Sequence, residues 1–417
     1  MTIAPATAAS SGYATDLPGR GTQKTTARAR LKIWWRELDH VLLGLIVLLV
    51  AVGCAAIAAA SPAGADRLSS DTVTLDPLFF LWAHLRWLAV GIPAMLGLSM
   101  LTRDTARRFA ILLSLAMVGA MVLVPFIGTE VNGARRWLNL GFSFQPSEFL
   151  KPGFAVTLAW IMSWRMKDPH MPVFGLVTGA LAVVVILLMA QPNLGAAILF
   201  TGVWFVLVLL GGVSFRHIAA LIAGGFAGLS LAYAFYDNAR HRIDSWLSGG
   251  TDFDQVDLAQ RTLLAGGWDG VGFWVGRAKF RLPEAQTDYI FSVVGEEFGL
   301  LACAGIVLLF LAIVLRVLVR VASEDNFFAL LAAAGLTAQL GGQAFINILV
   351  NLSLFPSKGM TLPLVSYGGS STIAVCCGFG LLLALTRRNP FLTRETAGLR
   401  DTLFEKHKGL FDKERKQ

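Results

Sequence analysis

Charge is the scarcest resource of this 417-residue chain: Asp, Glu, Lys and Arg make up 15% of it, and 55% is hydrophobic. A soluble domain carries about 25% charged residues, so the deficit excludes an ordinary water-soluble fold. Cysteine is also rare. The four cysteines, Cys54, Cys303, Cys376 and Cys377, all lie in apolar runs, and two of them are adjacent. That spacing excludes a disulfide framework, and they read as small helix-packing residues. None of the six histidines falls in an HExxH or comparable spacing, so no metal site is legible. No internal repeat and no separate soluble domain can be found. The net charge of +8 would suggest nucleic acid only out of context. In a membrane protein it reflects orientation signals and anionic lipid, and no nucleic-acid partner is expected.

What the chain does have is long apolar runs, with a mean hydropathy of +0.63. Residues 41–60 carry no charge and are long enough to span a bilayer, which takes about 20 apolar residues. The small residues before Ser61-Pro62-Ala63 mimic a signal-peptidase site, but the long polar tail ahead of the run favours an uncleaved anchor. Further runs fall at about 78–101, 109–128, 148–164, 172–190, 194–213, 218–236, 289–315, 327–352 and 370–386. The expectation is an all-α polytopic membrane protein of about ten transmembrane helices. Basic residues mark every second end: Arg20 to Arg36 before the first run, Arg103, Arg107 and Arg108, then Arg165 and Lys167, Arg216, Arg316 and Arg320, and Arg387 and Arg388. The positive-inside rule makes those ends and both termini cytoplasmic. Residues 237–288 then form a large periplasmic loop between helices 7 and 8. Residues 1–36 are expected to be a flexible basic tail, 37–388 the ten-helix domain, and 389–417 a second basic tail.

Polar residues collect at the outward helix ends. One set is Asn132 to Trp137 and Gln145 to Lys151, in which Glu148 and Lys151 are spaced to share a helical face. They make either a local ion pair or part of a site. A second set is Arg277, Lys279 and Arg281, followed by Glu284 and Asp288. On a helix Asp288, Ser292 and Glu296 would fall on roughly one face. Asp288 alone reads as an interfacial helix cap; the adjacent bases suit an anionic substrate with acid–base chemistry. A third set is Gln343, Asn347 and Asn351, explicable by hydrogen bonding between helices. It leads into Pro356 to Pro363 and Ser366 to Ser371. Gln191-Pro192-Asn193 reads as a tight outer turn, and Arg86 either snorkels outward or lines the same cavity.

Four stretches carry a resemblance: GARRWLNLGFSFQPSEFLKP, QPNLG, LPEAQTDYIFSVVGEEFGL and INILVNLSLFPSKGMTLPLVSYGGSS, in that order. Together they resemble the SEDS family (shape, elongation, division and sporulation), and the last is worded more like its division branch. The resemblance covers about residues 40 to 388. It implies a ten-helix fold and a peptidoglycan glycosyltransferase that polymerises lipid II at the outer face of the bacterial inner membrane, at the division septum. It implies Asp288 as general base on the acceptor 4-hydroxyl, with undecaprenyl pyrophosphate as leaving group. Arg136, Lys151 and Arg281 would steady the pyrophosphate and Glu148 would orient Lys151, with Glu296, Asn347, Lys358 and Ser370 in the substrate site. A divalent cation, Mg2+ or Mn2+, often assists such enzymes. A class B penicillin-binding protein and other divisome membrane proteins are the implied partners. Gln286 stands where many relatives carry His, and Asn193 where many carry Asp, so neither a histidine relay nor a proton-carrying aspartate is expected there. Two rival readings are a lipid II flippase and a division scaffold without catalysis.

Overall fold

The computed structural model describes residues 27–388, apart from 71–73, 132–133, 140, 167, 169, 213–214, 236–239, 241–242, 245–254 and 357–358. Its helices are α1 (Ala27–Glu37), α2 (His40–Leu68), α3 (Phe79–Ser99), α4 (Arg103–Ile127), α5 (Pro146–Ser163), α6 (Val173–Ala190), α7 (Leu194–Leu210), α8 (Phe215–Phe235), α9 (Gln255–Ala265), α10 (Ile290–Val321), α11 (Phe327–Asn351) and α12 (Ser370–Thr386). All ten apolar runs coincide with helices, α2 to α8 and α10 to α12. Six of these, α2, α3, α4, α6, α10 and α11, are long and apolar enough to cross a membrane by length and composition. The chain is a multi-span membrane protein.

Two elements depart from expectation. Residues 129–144 form three short antiparallel strands, β1 (Thr129–Val131), β2 (Ala134–Asn139) and β3 (Ser143–Phe144), in the order β1-β2-β3. Trp137 and Leu138 bring apolar and aromatic bulk that a strand accepts, and the run is too short to compete with the long helical signals around it. Second, residues 27–36, expected to be flexible tail, lie in α1, which docks by a hydrogen bond from Trp34 Nε1 to Ser99 Oγ of 3.1 Å.

The centre of the bundle is α12, buried along almost its whole length and packed against α3, α5 and α11. Small residues make that possible. A Cβ at Gly380 would lie 2.6 Å from the Met95 carbonyl oxygen, and one at Gly91 2.8 Å from Cys376 Sγ. Cys303, Cys376 and Cys377 are buried free thiols, in keeping with a packing role.

Ion pairs lace the end that the charge bias marks as inner. Asp39 caps α2 through its Val41 and Leu42 amides (3.1 and 3.2 Å). The same carboxylate takes Arg316 at 2.9 Å and Arg320 at 2.6 Å. Burial pushes the Asp39 carboxyl up, but the hydrogen bonds from Arg316 and Arg320 outweigh it and hold the group below its ordinary value. Nearby, Arg103 grips Glu324 with two bonds of 2.9 Å, and Arg387 donates to the Leu101 carbonyl at 2.6 Å.

Candidate functional site

At the opposite end, which the charge bias marks as outer, α10 starts at Ile290, so Asp288 lies just outside the helix and the expected Asp288–Ser292–Glu296 face is not formed. The N-cap position is Tyr289, which makes no side-chain capping bond. Asn351 of α11 serves instead: its Oδ1 accepts from the Ser292 amide at 3.1 Å and hydroxyl at 2.8 Å. Its Nδ2 donates to the Asp288 main-chain oxygen at 3.0 Å, and Asn347 Nδ2 donates to the same oxygen at 2.8 Å. The backbone of Asp288 is therefore pinned from α11 while its half-buried carboxylate faces the loop at Gly359. Gly359 has φ +62°, and a Cβ there would stand 3.6 Å from Asp288 Oδ2. A left-handed backbone this close to a carboxylate favours glycine.

The four-residue spacing of Gln343, Asn347 and Asn351 continues the ladder inward. Asn347 also donates to the Met360 carbonyl at 2.6 Å, and Gln343 Nε2 to the Thr361 carbonyl at 2.9 Å. Gln343 Oε1 accepts from Lys151 Nζ at 3.1 Å. Lys151 is 3% exposed and pairs with Glu148 at 2.6 Å. An ammonium this deep needs such partners, because an unpaired buried charge costs several kcal/mol. One polar track thus runs Glu148–Lys151–Gln343–Asn347–Asn351 to the Asp288 turn. The other oxygen of Glu148 is buried without a partner.

The remaining candidates are placed as follows. Arg136, on β2, donates to the Gln191 carbonyl at 3.0 Å and to the Pro192 carbonyl, so it holds the turn before α7, which Asn193 caps. Ser370 ties the start of α12 to the Ser143 carbonyl at 2.8 Å. Arg281 is exposed, and its carbonyl accepts from Arg67 at 3.5 Å. Glu296 is set apart from the track: its oxygens accept from the Ala278 and Lys279 amides at 2.7 and 2.9 Å. Arg86 is exposed rather than lining a cavity. Gln286 offers its carbonyl to the Tyr367 amide at 2.9 Å. Lys358 lies outside the described residues.

Two residues singled out from sequence take partners that the sequence did not indicate. Gln343 is the only described side chain that bonds both Lys151 and the loop at Thr361. Lys279 is buried and pairs with Glu297, which the 3.6-residue period turns away from Asp288. Among the described residues no group of three or more His, Cys, Asp or Glu side chains converges. No chemical step is assigned to a divalent cation.

This is a polytopic membrane protein with a polar site sunk into one end of its helix bundle. The profile described as "Cell cycle protein", FtsW/RodA/SpoVE, matches residues 39–390, and the chain belongs to that family. A relative from Caulobacter vibrioides, named probable peptidoglycan glycosyltransferase FtsW, is 36% identical over 88% of this chain and 93% of its own length. One of the same name from Aromatoleum aromaticum is 34% identical over 89% of this chain and 94% of its own. Among solved structures, a chain of a peptidoglycan synthase complex that coordinates polymerization and crosslinking superposes with a TM-score of 0.68. It is 29% identical, covering 84% of this chain and 97% of that one. The rod shape determining protein RodA of Thermus thermophilus gives a TM-score of 0.62 at 29% identity, over 84% of this chain and 96% of that one.

Proposed function

We propose that this protein is a peptidoglycan glycosyltransferase that polymerises lipid II, with Asp288 as its general base. The observation that carries the catalytic assignment is that the cap of α10 falls to Asn351, which serves the Ser292 amide and hydroxyl, while the Asp288 carboxylate sits half-buried at the Gly359 loop. The carboxylate takes the proton of the acceptor 4-hydroxyl as that oxygen attacks C1 of the donor sugar. The C1–O bond to undecaprenyl pyrophosphate breaks with inversion, and the leaving group carries away the bonding pair. Lys151, fixed by Glu148 and Gln343, supplies positive charge for the pyrophosphate. Exposed Arg281 offers a second cation from the outer surface. The bond network at the inner end favours a polymerase over a flippase, because Asp39, Arg316, Arg320, Arg103 and Glu324 are all engaged where a translocation path would open. The enzyme works in the bacterial inner membrane at the septum, beside a class B penicillin-binding protein that crosslinks its strands. The test is polymerisation of labelled lipid II by the purified protein with that partner present. Absence of glycan from wild type under conditions where the partner crosslinks preformed strands would defeat the reading.

A further inference from the structure

Residues 266–281 precede the Asp288 turn in what the charge pattern marks as an outward loop, yet they are knitted into α10. That helix is interrupted at Gly299 (φ 82°, ψ 174°), where a Cβ would overlap the Trp268 carbonyl. Across the break the segments exchange backbone bonds. Val271 and Gly272 donate to the carbonyls of Glu296 and Glu297 at 2.9 and 3.1 Å; Leu300 and Leu301 donate to those of Gly267 and Trp268 at 3.0 and 3.3 Å. Glu296 takes the Ala278 and Lys279 amides, and Glu297 takes the Trp274 amide at 2.9 Å and the Lys279 ammonium. Lys279 also donates to the Ala59 carbonyl at 2.8 Å. Irregular backbone at membrane depth is tolerated only when its polar groups are satisfied in this way.

Two rulers give the depth. The buried Asp39 and its half-buried partners Arg316 and Arg320 mark the inner edge of the hydrocarbon. Ala58, whose carbonyl accepts from Trp274 Nε1 at 2.9 Å, lies 18 residues past His40 on α2, about 27 Å at 1.5 Å per residue. Gly299 lies 17 residues from Arg316 on α10, about 26 Å away. The hydrocarbon core is about 30 Å thick, so the segment sits just inside its outer edge.

Its surface matches that depth. Trp268 is 70% exposed, Val275 60%, Phe273 49% and Trp274 47%. Arg277 and Arg281 are exposed, and Arg67, which reaches the Arg281 carbonyl, lies farther out along α2. Below, an apolar groove of about 390 Å³ runs between α2 and α10, lined by Leu48, Val52, Ala55, Phe298, Ala302 and Leu309. Phe273 closes its top, 6.0 Å from Phe298. The lining from Val294 to Leu309 spans about 22 Å of helix.

We propose that residues 266–281 form a re-entrant segment seated in the outer leaflet. Its aromatic side chains lie among acyl chains, and Arg67 and Arg277 face phospholipid phosphates. Basic residues beside an aromatic belt have the charge and amphipathic character that anionic headgroups attract.

The test labels Trp268→Cys and Val275→Cys, in a background lacking the four native cysteines, with a small fluorophore in phosphatidylethanolamine–phosphatidylglycerol vesicles. Asp66→Cys is the water-side reference and Leu115→Cys, on the exposed face of α4, the lipid-side reference. Labels at 268 and 275 should be quenched by phospholipids with a nitroxide high on the chain. Iodide should quench them on the order of tenfold less than at 66, since an ion is excluded from hydrocarbon. Iodide quenching equal to that at 66 would place the segment in water, and protection from both quenchers would mean that protein covers it; either outcome overturns the proposal. Trp268→Phe in the otherwise native chain gives a second readout with little risk to folding. It should remove part of the tryptophan emission that chain-brominated phospholipid quenches, and an unchanged quenched fraction would also overturn the proposal.

Discussion

Asn351 holds Asp288 by its backbone, Nδ2 to main-chain oxygen at 3.0 Å, while its own side-chain oxygen caps the helix that follows. One α11 side chain thereby takes over the cap of the helix and fixes where the Asp288 backbone stands.

Substitution at Asp288 should consequently separate chemistry from folding. Asp288→Asn keeps size and hydrogen-bonding capacity but cannot accept the acceptor's proton. Loss of a general base typically costs about 10²–10⁴ in rate. Glycan length on a gel, with the transpeptidase present, should show near-absent polymerisation from normally inserted protein. Asp288→Glu shifts the carboxylate by one methylene and should retain partial activity. Wild-type polymerisation by Asp288→Asn would move the catalytic assignment elsewhere.

Asn351→Ala should resemble Asp288→Asn in activity but differ in stability. It leaves the buried Ser292 amide and hydroxyl without Asn351 and loosens the Asp288 turn. Stranding a buried donor costs about 1–3 kcal/mol. A lowered melting temperature together with reduced turnover is expected; full activity at reduced stability would mean that Asn347 alone positions Asp288.

Lys151→Ala should weaken use of lipid II more than Arg136→Ala does. Lys151 is a buried ammonium on the track to Asp288, whereas Arg136 spends hydrogen bonds on the Gln191 and Pro192 carbonyls. Losing a charge-assisted contact costs about 1.5–3 kcal/mol, roughly ten- to hundredfold in affinity. Lys151→Ala also strands Glu148, so Glu148→Gln/Lys151→Ala should recover stability without recovering substrate binding. Equal lipid II binding by wild type and both single variants would remove these cations from the substrate site.

The spans were legible because twenty-residue apolar runs have few alternatives, and Glu148 with Lys151 because i, i+3 spacing on a helix leaves little choice of partner. The ladder of Gln343, Asn347 and Asn351 was visible as spacing, but its targets were not. They are main-chain oxygens of Asp288, Met360 and Thr361, and backbone groups look alike in any sequence. Glu296 was misplaced for a related reason. Helical periodicity put it under Asp288, but the helix starts only at Ile290, and Glu296 reaches back to amides of the preceding loop. Lys279 was visible in the second polar set, but not its buried partner Glu297, 18 positions away. Long-range pairing of this kind has no local signature.

The inner end offers a prediction independent of catalysis. Asp39 is fully covered, caps α2, and is bound by Arg316 and Arg320. Its folded-state pKa lies below its ordinary value. A depressed carboxylate contributes stability that is fully present above the unfolded value of about 3.9 and is lost as pH falls through the folded value. Asp39→Asn keeps the capping oxygen but removes the charge. Removing one partner of a buried ion pair costs about 3–5 kcal/mol, and the retained cap should hold the loss near the lower end. In detergent, the melting temperature of Asp39→Asn should fall below that of wild type by a constant gap from pH 7 to pH 5. Below about pH 4 the gap should narrow, and it should close as pH falls through the folded value, where protonation gives wild type the same neutral group. A gap that persists undiminished at pH 3, or no gap at pH 7, would show that the Asp39 charge does not hold α2 and α10 together.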